Sequence, residues 1–166
     1  MPTTTLVKET GTGSATSNSY ATAAELDQYA LDRNVTLTAT YGNRTQLLFQ
    51  AMDYIEFYEF IGIKNSDTQA LQWPRAGAVV DGYEIDSDEI PVDLVEGQMA
   101  LAIAIDQGFS PMANIDRTQK KVKVDVIEIE YSDNAAAAGY ARTYTRTLSK
   151  LVAGGSGGNQ FRVIAA

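Results

Sequence analysis

The stretch DGYEIDSDEIPVD places six carboxylates, Asp81, Glu84, Asp86, Asp88, Glu89 and Asp93, within 13 residues. Such density has two chemical uses. A hard cation takes about six to eight oxygen ligands, and a spaced pair of carboxylates performs glycosidase-type acid and base work. The spacing here lacks the central glycine and closing glutamate of a calcium-binding loop, and no pattern encloses the acids in a pocket. They read as a solvated acidic loop ahead of a capped helix. The chain contains no histidine and no cysteine, which removes disulfides, the usual zinc ligands, thiol nucleophiles and a histidine base. No catalytic residue, metal site or cofactor is therefore assigned, and a carboxylate-dependent hydrolase ranks last among the functions considered.

Nucleic-acid chemistry needs cations interleaved with aromatics. Lys and Arg number 13 against 21 Asp and Glu, giving a net charge of −8. The densest basic run, Lys120, Lys121 and Lys123, continues into alternating valines, where it reads as the solvated face of a strand. With Arg142 and Arg146 it makes at best a small patch for single strands. The aromatics Tyr54, Phe57, Tyr58 and Phe60 lie at helical spacing beside leucines without interleaved bases, and read as core. GTGSATS, residues 11–17, lacks the Gly-Lys-Ser/Thr ending of a phosphate loop and reads as a linker.

At 166 residues and 45% apolar content, the chain suffices for one domain with appendages. No apolar run approaches the ~20 residues of a membrane span, and the N-terminus lacks the pattern of a secretory leader, so a soluble protein is expected. Residues 1–18, with Leu6 and Val7 as the apolar anchors, read as a flexible or partner-ordered arm. A first helix follows in SNSYATAAELDQYALDRN, capped by Ser19 or Thr22. NRTQLLFQAMDYIEFYEFIG predicts a second, opened by Asn43 and Gln46 and closed by Gly62, with Leu47, Leu48, Ala51, Met52, Ile55 and Tyr58 or Glu59 on one face and Phe49, Tyr54, Phe57 and Phe60 on a second apolar face, so that it sits centrally or touches a partner subunit. EIPVDLVEGQMALAIAIDQG predicts a third, with Pro91 in its first turn and Gly108 at its stop, and its small apolar residues make it the core helix. A strand covers residues 120–131, with a change of parity between Val126 and Ile127. Residues 134–140 connect it to a short helix bearing Tyr144, Leu148, Leu151 and Val152. Residues 154–166 form a glycine hinge and a tail carrying Phe161, Arg162, Val163 and Ile164. The fold class is mainly α with a minor β component: three to four helices, a strand or hairpin, and extended arms at both ends, the body spanning 19–153.

NSYATAAELDQYALDR, LLFQAMDYIEFY, QALQWPRAG, IPVDLVEGQMALA and VKVDVIEIEY together resemble a family of tailed-bacteriophage head-tail connector, adaptor or head-completion proteins. Many members carry the label DnaT-like ssDNA-binding protein. The resemblance covers roughly residues 17–153, and its most specific element is Gln72, Trp73, Pro74 and Arg75 followed by Ile90 and Pro91. It implies a virion protein, made in the host cytoplasm, that sits at the head-tail junction. There it forms a homo-oligomeric ring, a dodecamer by the resemblance, beneath the portal protein and above a downstream neck or tail protein. The ring extends the channel through which double-stranded DNA passes without sequence-specific binding. The acidic charge suits such a wall. Within this picture Trp73, Pro74 and Arg75 form a structural clasp: the ring anchors a loop, the proline extends the backbone, and the arginine pairs with a carboxylate from the same or an adjacent subunit. Phe161, Arg162, Val163 and Ile164, or alternatively Leu6 and Val7, contact the portal or a neighbour. The alternatives are a single-strand-binding replication accessory and another neck ring such as a tail terminator.

Overall fold

A helix that is apolar on every side has to lie in the middle of its domain. In the computed structural model, which describes residues 5–110 and 143–153, that helix is the one over Val92–Asp106. Leu94 and the unbroken run Gly97–Ala104 are buried. The rest of the body is arranged around it, in a mainly helical α+β fold with a few short strands.

In chain order the elements are α1 (Ala23–Asp32), α2 (Tyr41–Ile55), β1 (Ile63–Lys64), β2 (Arg75–Ala76), β3 (Ala78–Val80), β4 (Tyr83–Ile85) and α3 (Val92–Asp106). A fourth helix, α4, covers 143–148. α1 starts with a capping box: the Thr22 hydroxyl accepts from the Glu25 N–H, and the Glu25 carboxylate accepts from the Thr22 N–H. It ends on Asn34 at φ 53°, with Asn34 N–H to Leu31 O and Val35 N–H to Ala30 O closing a Schellman turn. α3 ends in the same way. Gly108, at φ 92°, donates to Ile105 O, and Phe109 donates to Ala104 O. Gly108 is thus the stop that the sequence predicts, while Pro91 is the cap of α3 rather than a residue of its first turn.

α2 differs more from expectation. It starts two residues before Asn43, its cap Thr40 makes no side-chain bond, and it stops at Ile55 instead of Gly62. Its inward face, Leu47, Leu48, Ala51, Met52 and Ile55, is the predicted one except for Tyr58 or Glu59, which fall beyond the helix, and it packs on α3. Beyond the helix the aromatics divide. Phe60 is buried, whereas Phe57 is 74% exposed.

The strands form two antiparallel pairs, β1 with β2 and β3 with β4. Asp81 and Gly82, at φ 52° and 86°, form the turn between β3 and β4. An Asp-Gly pair is the favoured occupant of such a hairpin turn. The first part of the expected acidic loop is therefore a hairpin. The expected strand at 120–131, the connection at 134–140 and the tail at 154–166 lie outside the described residues.

The N-terminal residues 5–18, expected to belong to a flexible or partner-ordered arm, close into a loop around a buried carboxylate. Glu9 Oε1 accepts from the N–H groups of Thr10, Gly11 and Gly13 at 3.0, 2.9 and 3.1 Å, and Oε2 accepts from Ser14 N–H at 2.9 Å. Successive amides aimed at one point make an anion nest. The glycine-rich sequence thus builds the cradle of a phosphate loop, and the chain's own glutamate fills it. Gly11 lies so close to Asp88 that a Cβ there would stand 1.7 Å from the Asp88 carbonyl oxygen. A ladder contact between Lys8 and Ser19 returns the chain to α1.

α4 is seated on α3 at a glycine: a Cβ on Gly97 would lie 2.7 Å from Leu148 Cδ2 and 3.0 Å from Cγ. Replacing Gly97 by Leu overpacks a closed interface, so we expect Gly97→Leu to cost about 2 kcal/mol in urea unfolding, partly restored by adding Leu148→Ala. Burial pushes the Glu9 carboxyl up, but the hydrogen bonds of the nest outweigh it and hold it below its ordinary 4.5. That stabilisation is full above the ordinary value and is lost as pH falls through the lowered one. Glu9→Gln should therefore lose about 2 kcal/mol at neutral pH and show a flatter acid-unfolding curve than the parent.

Candidate functional site

The Trp-Pro-Arg segment lies at the end of a long excursion between β1 and β2, and its order comes from side chains that bond the excursion to itself. Gln69 is buried; its Nε2 donates to Leu71 O at 2.9 Å and Pro74 O at 3.1 Å, while Oε1 accepts from Ser66 N–H at 3.2 Å. Ala70 N–H donates to Ser14 O, tying the excursion to the N-terminal loop. The excursion can then present one large apolar group inward. Trp73 is fully buried, edge-on to Phe60 with ring centroids 6.3 Å apart. The Trp73–Pro74 bond is cis.

The backbone beside the indole is held by groups that the sequence reading does not single out. Trp73 N–H donates to the Tyr20 hydroxyl at 3.0 Å, and that hydroxyl donates to Glu56 Oε1 at 3.2 Å. The same carboxylate oxygen accepts Gln72 N–H at 3.2 Å. Tyr20 N–H in turn donates to Gln98 Oε1 at 2.9 Å, and Gln98 Nε2 donates to Ser19 Oγ and Leu48 O. One chain of bonds thus links the N-terminal segment, α2, α3 and the Trp73 excursion. Burial pushes the Glu56 carboxyl up, and the bonds from Gln72 and Tyr20 with the charges of Lys64 and Arg75 offset only part of the rise. Burial and the Glu56 charge also hold the Tyr20 phenol well above its ordinary value.

Among the described residues Arg75 is held by carbonyl oxygens rather than by a carboxylate of its own chain. Its Nε donates to Ile61 O and its Nη2 to Gly62 O, both at 2.7 Å, and its Nη1 donates to Gln72 Oε1 at 3.0 Å. The guanidinium fork fits the peptide carbonyls beside β1, which remain available because α2 has already ended. Glu56 acts on Arg75 only through its charge.

Of the other predicted positions, Leu6 packs against the core of its own chain and Val7 is 37% exposed, its N–H bonded to Asn18 Oδ1. Phe161, Arg162, Val163 and Ile164 lie outside the described residues. The acids Asp81, Glu84, Asp86, Asp88 and Glu89 are exposed, and Asp93 pairs with Lys150. Among the described residues no group of three His, Cys, Asp or Glu side chains is placed to hold a metal ion. The cluster around Trp73 is a joint between elements. Two sequence signals could have exposed it: Gln98 is a lone amide inside an apolar helix, and Tyr20 stands two residues before the Thr22–Glu25 capping box.

Trp73 Nε1 is buried and has no acceptor among the described residues. Trp73→Phe then removes volume but no hydrogen bond. We expect it to cost about 1–2 kcal/mol and Trp73→Ala about 3–5 kcal/mol in chemical denaturation. Equal losses for the two would show that the indole N–H, not the ring, fastens the excursion.

Comparisons with curated proteins and with solved structures give no match. A family model, described as "Putative DnaT-like ssDNA binding protein", matches residues 4–165, nearly the whole length. The match includes the Trp73 joint, the Glu9 loop and the basic run at 120–123. The chain therefore belongs to the family of that description.

Proposed function

We propose that this family member is an assembly subunit, a ring-forming connector of the tailed-phage neck type, in which the Trp73 joint fixes the shape of each copy. The observation that carries this reading is how the charge is placed. The described residues hold seven basic side chains: Lys8, Arg33, Arg44, Lys64, Arg75, Arg146 and Lys150. Four of them pair with acids, Lys8 with Glu25, Arg33 with Glu96, Arg44 with Asp27 and Lys150 with Asp93. Arg75 is engaged by peptide carbonyls. Sixteen acidic residues stand against these seven bases. A body so charged offers no run of unpaired cations for a phosphate backbone, whereas a conduit wall benefits from their absence. Its surface also carries large apolar groups suited to contacts between subunits, including Leu31, Phe57, Ile63 and Val92, each more than two-thirds exposed.

Single-strand binding is the second reading, and the family description favours it over the neck ring. It would fall to Lys120, Lys121, Lys123 and Arg142, which lie outside the described residues. Light scattering on the purified protein, alone and with the portal protein of the same genome, separates the two when run beside fluorescence anisotropy with labelled oligothymidine. The connector reading expects a ring-sized mass or co-elution with the portal, and no oligonucleotide retention at micromolar protein. A monomer that ignores the portal and binds the oligonucleotide in the roughly micromolar range, weakening steeply with salt, would replace it with the second reading.

A further inference from the structure

Two carboxylates are drawn into the body, and they are held in different ways. Glu9 sits among four backbone N–H groups, the longest of those bonds being 3.1 Å. Glu56 caps the C-terminal end of α2, where unpaired helix carbonyls already make the potential negative. Its Oε1 receives two bonds, from the Tyr20 hydroxyl and from Gln72 N–H, both 3.2 Å long. The two donors are neutral, and a hydroxyl bound to an ionised carboxylate ordinarily approaches to about 2.5–2.7 Å. Bonds of this kind hold a neutral carboxyl group as well as a charged one, because a proton on Oε2 leaves Oε1 able to accept.

The titratable and charged groups around Glu56 come from the N-terminal segment, β1 and β2. Burial and the Glu56 charge keep the Tyr20 phenol neutral, and Glu9 adds a smaller push in the same direction. The Arg75 guanidinium is engaged by Ile61 O, Gly62 O and Gln72 Oε1, so Arg75, like Lys64, reaches Glu56 only as charge. Burial outweighs these charges and holds the Glu56 carboxyl above its ordinary 4.5.

These bonds lie where the long excursion returns to the body. Gln72 N–H is fastened to Glu56 directly, and Trp73 N–H through the Tyr20 hydroxyl. Glu56 is only partly buried, so an ionised carboxylate reaches water by turning outward. Turning outward removes the acceptor of both Gln72 N–H and the Tyr20 hydroxyl, and the excursion loses two adjoining fastenings. The neutral acid gains little from water and stays in place. Ala70 N–H, bonded to Ser14 O, ties the excursion to the N-terminal loop independently of Glu56.

We propose that Glu56 is a proton-controlled latch: with its proton it holds the excursion 65–74 against the body, and without it the Gln72–Trp73 end opens locally. Because the docked state favours the protonated acid, the latch is fully closed below the ordinary 4.5 and loosens as pH rises through the raised value. Glu9 works in the opposite sense, since its nest favours the ionised form and fails only as pH falls through its lowered value. A rise in pH therefore frees one end of the excursion while the N-terminal loop stays closed.

Hydrogen exchange followed by NMR tests the latch. The chain holds one tryptophan, so its indole N–H gives a single signal from inside the excursion. That signal and the amides of Gln72 and Trp73 are followed from about pH 5 to about pH 8, each rate divided by its intrinsic value, with the Leu101 and Ala102 amides of α3 as the measure of global opening. We expect protection in the excursion to fall roughly tenfold more than in α3, the change that a displacement of one pKa unit produces. Glu56→Gln keeps an acceptor oxygen but has no proton to lose. In that variant the fall disappears, and at about pH 8 the excursion is roughly tenfold better protected than in the parent. A carboxylate with a purely structural role predicts the reverse, weaker protection in the variant. A fall no larger than that of α3, or a pH dependence that survives in Glu56→Gln, overturns the latch. The parent alone supplies a second arm that does not depend on how the variant folds. The carbon-13 shift of the Glu56 carboxyl has to titrate with the same midpoint as the loss of protection, and separate midpoints overturn the latch.

Discussion

The fold depends on burying one tyrosine without leaving its polar groups unpaired. Tyr20 is fully enclosed, and a buried hydroxyl or amide that lacks a partner costs about 1–3 kcal/mol. Its hydroxyl is satisfied from two sides, by Glu56 at the end of α2 and by the N–H of Trp73. Its own N–H is satisfied by Gln98 in the middle of α3. These partners come from three separate regions of the sequence, so placing Tyr20 correctly requires all three to be in place. Gln98 extends the constraint to Leu48 O, which fixes α2 along α3. A core of aliphatic side chains alone would allow the two helices to slide; this polar thread sets their register.

The same constraint explains why α2 ends where it does. Continued helix through Gly62 would bury Phe57 on a second apolar face, as the aromatic spacing suggests. Glu56 is needed instead at the helix end, where Tyr20 and Gln72 donate to its carboxylate, and the chain then turns so that Phe60 meets Trp73. A carboxylate at the negative end of a helix is unfavourable in itself. It is tolerated because two donors and the charges of Lys64 and Arg75 surround it.

Periodicity made the helices legible. The inward face of α2, the central place of α3 and the Gly108 stop all follow from local pattern, because each depends on residues within one or two turns. The hairpin at Asp81 and Gly82 carried an equally local signal, which the surrounding acids obscured. The Trp73 joint was legible only in part. A lone tryptophan beside a proline marks a buried anchor, but its partners Tyr20, Glu56 and Gln98 are separated from it by tens of residues, and no spacing rule connects them. Arg75 shows the same limit from the other side. Its charge suggested an acidic partner, and its position beside the end of α2 gave it carbonyl oxygens instead.

The loop around Glu9 has a consequence for how glycine-rich segments are interpreted. A nest of amides binds whatever anion is present at the highest effective concentration. A ligand in free solution competes at its bulk concentration, whereas a carboxylate one to five residues away in the chain competes as if it were far more concentrated. The loop is therefore saturated before any phosphate arrives. The backbone geometry that recruits a nucleotide in other proteins here fastens the segment ahead of α1, and the residue that decides between the two outcomes lies just outside the glycine motif.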